Sequence, residues 1–195
     1  MTPERRVPVP PDFATAVSSL RATRLRPEIM LDPISPPQRL APFSHAIAAE
    51  VVVEGEAAAT GRLVLLCDPN GQEAWDGTLR LVTFASAELD PEMAGDPLLA
   101  EVGWSWLLDA LHGRNADYTA AGGTVTQTSS MRFGDLSGPP HTVDIELRAS
   151  WTPLHADLGA HLLAWGDLLC TAAGLPPPGV AMLPGRGSGL PGPAS

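Results

Sequence analysis

Strict alternation of apolar and polar residues marks the clearest element of the chain, a strand over residues 141–151. Residues 44–54 alternate in the same way. The nearly continuous apolar run at 60–68 is typical of a central strand that is covered on both faces. Shorter patterns predict strands over 77–87 and 124–133, the latter polar on both faces, as expected at a sheet edge or in a solvated groove.

Apolar residues at helical spacing predict three helices. The first begins at Asp12, and the last follows Pro153 and stops before Gly174. The middle helix, 96–113, begins with Asp96 as N-cap and ends at Gly113 in a left-handed conformation. Its apolar surface is so wide that we expect it to be buried on more than one side. The main stripe of this helix contains Leu99, Val102, Gly103, Trp106, Leu107 and Ala110.

These elements follow the order α-β-β-β-α-β-β-α, which predicts an α+β fold: a five-stranded antiparallel sheet with helices packed on it. Residues 68–71 give a strong turn signal, and 118–123 are expected to form a loop. Residues 25–42 contain five prolines and predict an irregular, extended segment over the core. We expect a single domain over 12–177, between a disordered arm at 1–11 and a disordered Pro/Gly-rich tail at 178–195.

Composition narrows the possible functions. The net charge of −10 argues against binding to nucleic acid or to an anionic membrane, since both need a basic surface. No apolar run is long enough to span a bilayer, and we expect a cytoplasmic protein. Cys67 and Cys170 have apolar neighbours and are interpreted as buried free thiols, although the sequence alone does not rule out a disulfide.

Motifs for catalysis, metal binding or cofactor binding are missing from the sequence. The glycines after Pro184 lie in the tail rather than between a strand and a helix. The five histidines show no spacing typical of metal ligands, and we predict each to be a surface or capping residue. The sequence therefore predicts no catalytic residue, metal or cofactor, and favours a protein that is not an enzyme.

Two groups of residues remain as candidate sites. In the first, Trp104 and Leu108 lie off the main stripe of the middle helix and Trp75 lies in a loop, whereas the other tryptophans occupy core stripes. Exposed aromatic residues are enriched in protein interfaces, so we predict that Trp104, Leu108 and Trp75 mediate an interaction. Either residues 25–42 cover the flank formed by Trp104 and Leu108, or another chain does.

The second group lies on the two last predicted strands. Thr128, Arg132, Glu146 and Arg148 could line a polar groove, in which an arginine would clamp an anionic metabolite with two hydrogen bonds. The solvated face of an antiparallel sheet gives the same pattern, so both interpretations stay open.

Several longer motifs resemble one family. They include Arg26-Pro-Glu, Trp104-Ser-Trp-Leu, Gly123-Thr-Val-Thr and Leu147-Arg-Ala-Ser-Trp-Thr-Pro. Over about residues 13–177 the chain resembles an actinobacterial family catalogued as domain of unknown function 3000. The resemblance implies a cytoplasmic bacterial protein and supplies no activity.

The order of elements alone is similar to that of class I type III secretion chaperones, which pair through a helix and hold extended client segments. This similarity implies a homodimer with a protein client. We therefore expect a non-enzymatic interaction or chaperone-like module, and the alternative is a domain that binds an anionic metabolite or acts on it through Arg132 and Arg148.

Overall fold

The computed structural model describes residues 8–89, 96–135, 138 and 141–177, so most of the arm and the tail predicted to be disordered lies outside the described residues. The helices are α1 (Pro11–Ala22), α2 (Leu99–Gly113) and α3 (Gly159–Ala172), with a short 3-10 helix at Glu73–Trp75. The strands are β1 (Ile29–Ile34), β2 (Phe43–Val53), β3 (Glu56–Gln72), β4 (Gly77–Leu89), β5 (Tyr118–Met131) and β6 (His141–Pro153).

The α+β class is confirmed, but the sheet has six strands in the described residues, and the expected number of five is wrong. The strands lie in the order β1-β2-β3-β4-β6-β5, and all neighbours are antiparallel. The additional strand is β1, from the proline-rich segment that was expected to be irregular. Proline has no backbone N–H and cannot donate a hydrogen bond to a neighbouring strand. Pro33 is tolerated in β1 because β1 is an edge strand, whose outer side needs no such hydrogen bond.

Two further predictions of local structure are wrong. The turn expected at 68–71 is a distortion within β3, where the register against β4 shifts between Cys67 and Gln72. The Asp68 carboxylate accepts a hydrogen bond from the Asn70 backbone N–H there, so the turn signal is satisfied locally without reversing the chain. The loop expected at 118–123 belongs to β5, which contains a bulge between Thr119 and Gly122.

All the helices pack on one face of the sheet, which we term the closed face. A Cβ atom on Gly61 of β3 would lie 2.8 Å from the Trp165 ring of α3, and the Trp165 indole N–H donates to the Thr83 hydroxyl of β4 at 2.8 Å. A Cβ atom on Gly103 of α2 would lie 2.8 Å from Ile145 of β6. The strand residues that alternate with Gly61, Thr83 and Ile145 point to the opposite side of the sheet, which we term the open face. No helix of the described residues covers the open face.

The most enclosed helix is α3, whereas the sequence pattern favoured α2. Most of α3 is buried because α1 and α2 flank it above the sheet. In α2 the buried stripe is narrower than expected, and Val102 is 38% exposed. Leu99, Gly103, Leu107 and Leu111 form that buried stripe.

The ends of α2 also differ from the prediction. Gly113 is the last residue inside the helix, and Asn115 takes the left-handed conformation that was expected of Gly113. Asp96 precedes the helix, but its carboxylate does accept a hydrogen bond from the Leu98 N–H at 2.8 Å. The Arg114 guanidinium then joins the end of α2 to Asp167 of α3 through two hydrogen bonds of 2.6 and 2.8 Å.

Candidate functional site

The two edges of the sheet differ in how they are protected against pairing with another chain. β1 has six residues and includes Asp32 and Pro33, which both discourage pairing. β5 has 14 residues and contains no proline and no Asp, Glu, Lys, Arg or His. Its outer side pairs with no strand of the described residues. A long, uncharged edge strand is an available template for a further strand, and we call it the β5 edge.

Trp104 and Leu108 of α2 lie beside the β5 edge on the closed face. A Cβ atom on Gly123 of β5 would lie 2.8 Å from the Trp104 ring, so the ring rests on this glycine. Leu108 is one helical turn further along the same side, and both side chains are half-buried. The segment 25–42 forms the opposite edge of the sheet and therefore does not cover this flank.

Two exposed apolar residues lie at the far end of β5. Met131 is 67% exposed and Phe133 is 78% exposed, the largest values among the large hydrophobic residues of the described chain. The sequence pattern predicts both residues as part of an ordinary strand. A signal was present: they are the two bulky apolar residues that follow a run of hydroxyl residues from 128 to 130.

The start of β5 is anchored from the open face by Arg80 of β4. Its guanidinium donates hydrogen bonds to the Ala120 carbonyl at 2.8 Å, to the Thr152 hydroxyl at 3.0 Å and to the Ser150 hydroxyl at 2.7 Å. Burial lowers the pKa of Arg80. These contacts hold Ala120, which has a φ of 50°, in the bulge that leads into the edge.

The predicted polar groove is only partly assembled. Thr128, Glu146 and Arg148 share the open face, whereas Arg132 follows the end of β5 near Gly138. Arg148 pairs with Thr124, eight residues before Arg132, so at about 3.3 Å per residue Arg132 and Arg148 lie roughly 26 Å apart along the strands.

Arg148 already has partners on the open face. Its guanidinium donates to Glu146 at 3.3 Å and lies 5.5 Å from the centre of the Phe84 ring. A depression of about 530 Å³ lies further across this face, and its lining includes Asp32, Glu50, Arg62 and Phe84. Charges of both signs line it, so it shows no preference for an anion.

Trp75 and the histidines complete the set of predicted residues. Trp75 lies in the 3-10 helix between β3 and β4, and its backbone carbonyl accepts a hydrogen bond from the Thr152 hydroxyl. The prediction of a surface or capping histidine is wrong for His161, which is buried in α3. Its Nδ1 accepts a hydrogen bond from the Trp151 indole at 3.1 Å, and burial lowers its pKa to about 4. His161 is therefore neutral and structural. Cys67 and Cys170 are both free and buried, as predicted.

The fold and the edge together define a class: a two-layer α+β domain with one helix-covered sheet face, one open face and a long unprotected edge strand. A family model described as a protein of unknown function, DUF3000, matches residues 9–181, and the chain belongs to this family. No curated protein and no solved structure matches the chain. Within the described residues, no helix has the length and apolar character needed to cross a membrane.

Proposed function

We propose that this protein is a non-enzymatic interaction module whose β5 edge takes up an extended segment of another chain as a seventh strand. The observation that carries the proposal is the 14-residue edge strand without charge or proline. Main-chain hydrogen bonds would supply the affinity in this mode of recognition, and the side chains on either side of the edge would supply the specificity.

Each side of an added strand meets a different surface. Side chains on the closed face lie beside Trp104 and Leu108, so this side favours apolar residues. Side chains on the open face lie beside a row of small hydroxyls, which hydrogen-bond well across strands. These hydroxyls belong to Thr124, Thr126, Thr128 and Ser130.

A chaperone-like role, with an extended client on this edge, follows from the same geometry. The order of elements predicted from the sequence resembled that of class I type III secretion chaperones, but the additional strand β1 changes this order, so the analogy adds no support. Two free buried thiols fit a reducing compartment, and a cytoplasmic location is part of this proposal. The alternative, an anionic metabolite held by Arg132 or Arg148, has weaker support because Glu146 and Phe84 already engage Arg148.

The proposal is tested by cross-linking in cells that make the protein. A photoreactive amino acid placed at Ser129 on the β5 edge is expected to give adducts with another polypeptide. The same amino acid at Met30, an exposed residue of the β1 edge, serves as the control and is expected to give few. Adducts that are no more abundant from Ser129 than from Met30 would contradict the proposal.

A charged side chain on the edge is expected to reduce these adducts strongly. Lysine on an edge strand discourages the approach of a further strand, so Thr128→Lys is expected to reduce the Ser129 adducts by roughly tenfold. Thr78→Lys, at an exposed position of β4, is the matched control and is expected to leave them unchanged. Equal losses in both variants would show that the adducts do not report on the edge.

A further inference from the structure

We infer that the chain which pairs with the β5 edge is a second copy of this protein, in an antiparallel, two-fold symmetric arrangement. The inference rests on the proposed function, since it names the partner of the same edge. Its basis is that the two ends of β5 complement each other, with small residues beside Trp104 at one end and bulky exposed apolar residues at the other.

The small end of β5 offers space. Ala121, Gly122 and Gly123 leave the outer side of the strand flat next to the half-buried Trp104 ring. The bulky end contributes Met131 and Phe133, whose side chains are mostly exposed. In an antiparallel pair the start of each strand lies opposite the end of its partner. The contact between the small end and the bulky end therefore occurs twice, and each copy contributes one half of each contact.

The side-chain alternation places these groups on the same face. Gly123 and Val125 contact α2 on the closed face, and no register shift against β6 follows them in β5. Met131 therefore also belongs to the closed face. With Gln127 on the two-fold axis, Met131 lies opposite Gly123 of the other copy and reaches its Trp104.

The same register suits the rest of the strand. Phe133 follows the end of β5 by two residues, and in this register it would lie near Ala121 of the second copy. On the open face Thr126 lies opposite Thr128, and Thr124 lies opposite Ser130, which are favourable hydroxyl pairs across strands.

The absence of charge from β5 also favours self-pairing over pairing with an unrelated segment. Near a two-fold axis any charged residue lies close to its own copy, and like charges opposite each other destabilise a strand pair. From Tyr118 to Met131 no such residue occurs, although the protein as a whole carries a net charge of −10. The absence of charged residues from this one edge is therefore what a symmetric interface needs.

The first test is the mass of the purified full chain by light scattering coupled to size exclusion. We expect twice the chain mass of 20.4 kDa, and a dissociation constant that Phe133→Asp raises by roughly tenfold or more. Leu154→Asp, at an apolar residue with 55% exposure outside β5, is the matched control and is expected to leave the dimer intact. Phe133 is preferred to Trp104 for this test because Trp104 also packs on Gly123 of its own chain.

The second test fixes the register and does not depend on the first. Single cysteines are introduced in turn from Val125 to Ser129, and disulfide-linked dimers are measured under mild oxidation. Linkage is expected to be greatest at Gln127→Cys, where the two copies of the new cysteine face each other across the axis.

A monomer, or a dimer that is insensitive to Phe133→Asp and does not link through Gln127→Cys, would overturn the inference. If Ser129 then still cross-links in cells to a different polypeptide, the interaction edge stands and only the identity of its partner is wrong. If Ser129 gives no adducts either, the proposed function fails as well.

Discussion

Gly123→Ala is expected to destabilise the protein by about 3 kcal/mol or more, although residue 123 is solvent-exposed and lies on an edge strand. A Cβ atom there would press against the carbonyl oxygen of Arg148 and would lie 2.9 Å from the Ala149 Cα. It would also lie 2.8 Å from the Trp104 ring. Two of these neighbours are backbone atoms of β6, so a rotamer change cannot relieve the overlap.

The neighbouring glycine provides the matched control. A Cβ atom on Gly122 would have no atom within 4 Å, and its φ does not lie in the left-handed region, so Gly122→Ala is expected to be neutral or slightly stabilising. Urea unfolding of the two variants measures the difference in the free energy of unfolding. Equal stabilities would show that β5 does not approach β6 and Trp104 as closely as described.

The second large effect is a dependence of stability on pH that arises from His161. Burial lowers the pKa of His161 from an ordinary value of 6.5 to about 4. Between these two pKa values the unfolded chain binds more protons than the folded chain. The contribution of neutral His161 to the free energy of unfolding is therefore fully present above pH 6.5. It is lost progressively as the pH falls through about 4. The shift corresponds to a loss of about 3 kcal/mol.

His161→Asn isolates this contribution from that of the other titrating groups. The asparagine side-chain oxygen can accept the Trp151 indole N–H in place of Nδ1, but it does not titrate. Relative to the variant, the wild-type protein is expected to lose about 3 kcal/mol of its free energy of unfolding from pH 7 to below pH 4. A difference that stays constant with pH would mean that His161 is accessible to protons in the folded state.

Sequence patterns were sufficient for the elements with a clear period. The alternation in β6 predicts a real strand because one of its faces packs against the helices. The helical spacing in α3 predicts a real helix, although α1, α2 and the sheet together bury more of it than one stripe indicates. The α+β class follows from their order. The five prolines of residues 25–42 predict an irregular segment, but only Pro33 lies within β1, and an edge strand tolerates a proline whose missing N–H would face outward.

Features that depend on distant contacts could not be predicted in this way. His161 is buried and accepts a hydrogen bond from the Trp151 indole of β6, and nothing in the local sequence indicates that pairing. The start of β5 resembled a loop because its strand geometry depends on Arg80, some 40 residues away, which binds the Ala120 carbonyl.

The candidate site was partly predictable. Trp104 and Leu108 were singled out because they lie off the buried stripe of α2, and the structure places them beside the β5 edge. The exposure of Met131 and Phe133 could not be predicted without knowing the order of the strands. These side chains are uncovered because β5 lies at the edge of the sheet.

The most direct test of the central claim is amide hydrogen exchange of the two edge strands in the full chain at roughly 100 µM. If another copy pairs with β5, all its amides from 122 to 131 are expected to exchange slowly, and Thr128→Lys is expected to make every second one fast. In β1, whose outer side pairs with no strand of the described residues, the outward-facing Leu31 amide is expected to exchange fast in both proteins. Alternate amides of wild-type β5 that exchange as fast as the Leu31 amide would contradict the claim that β5 is an interaction edge.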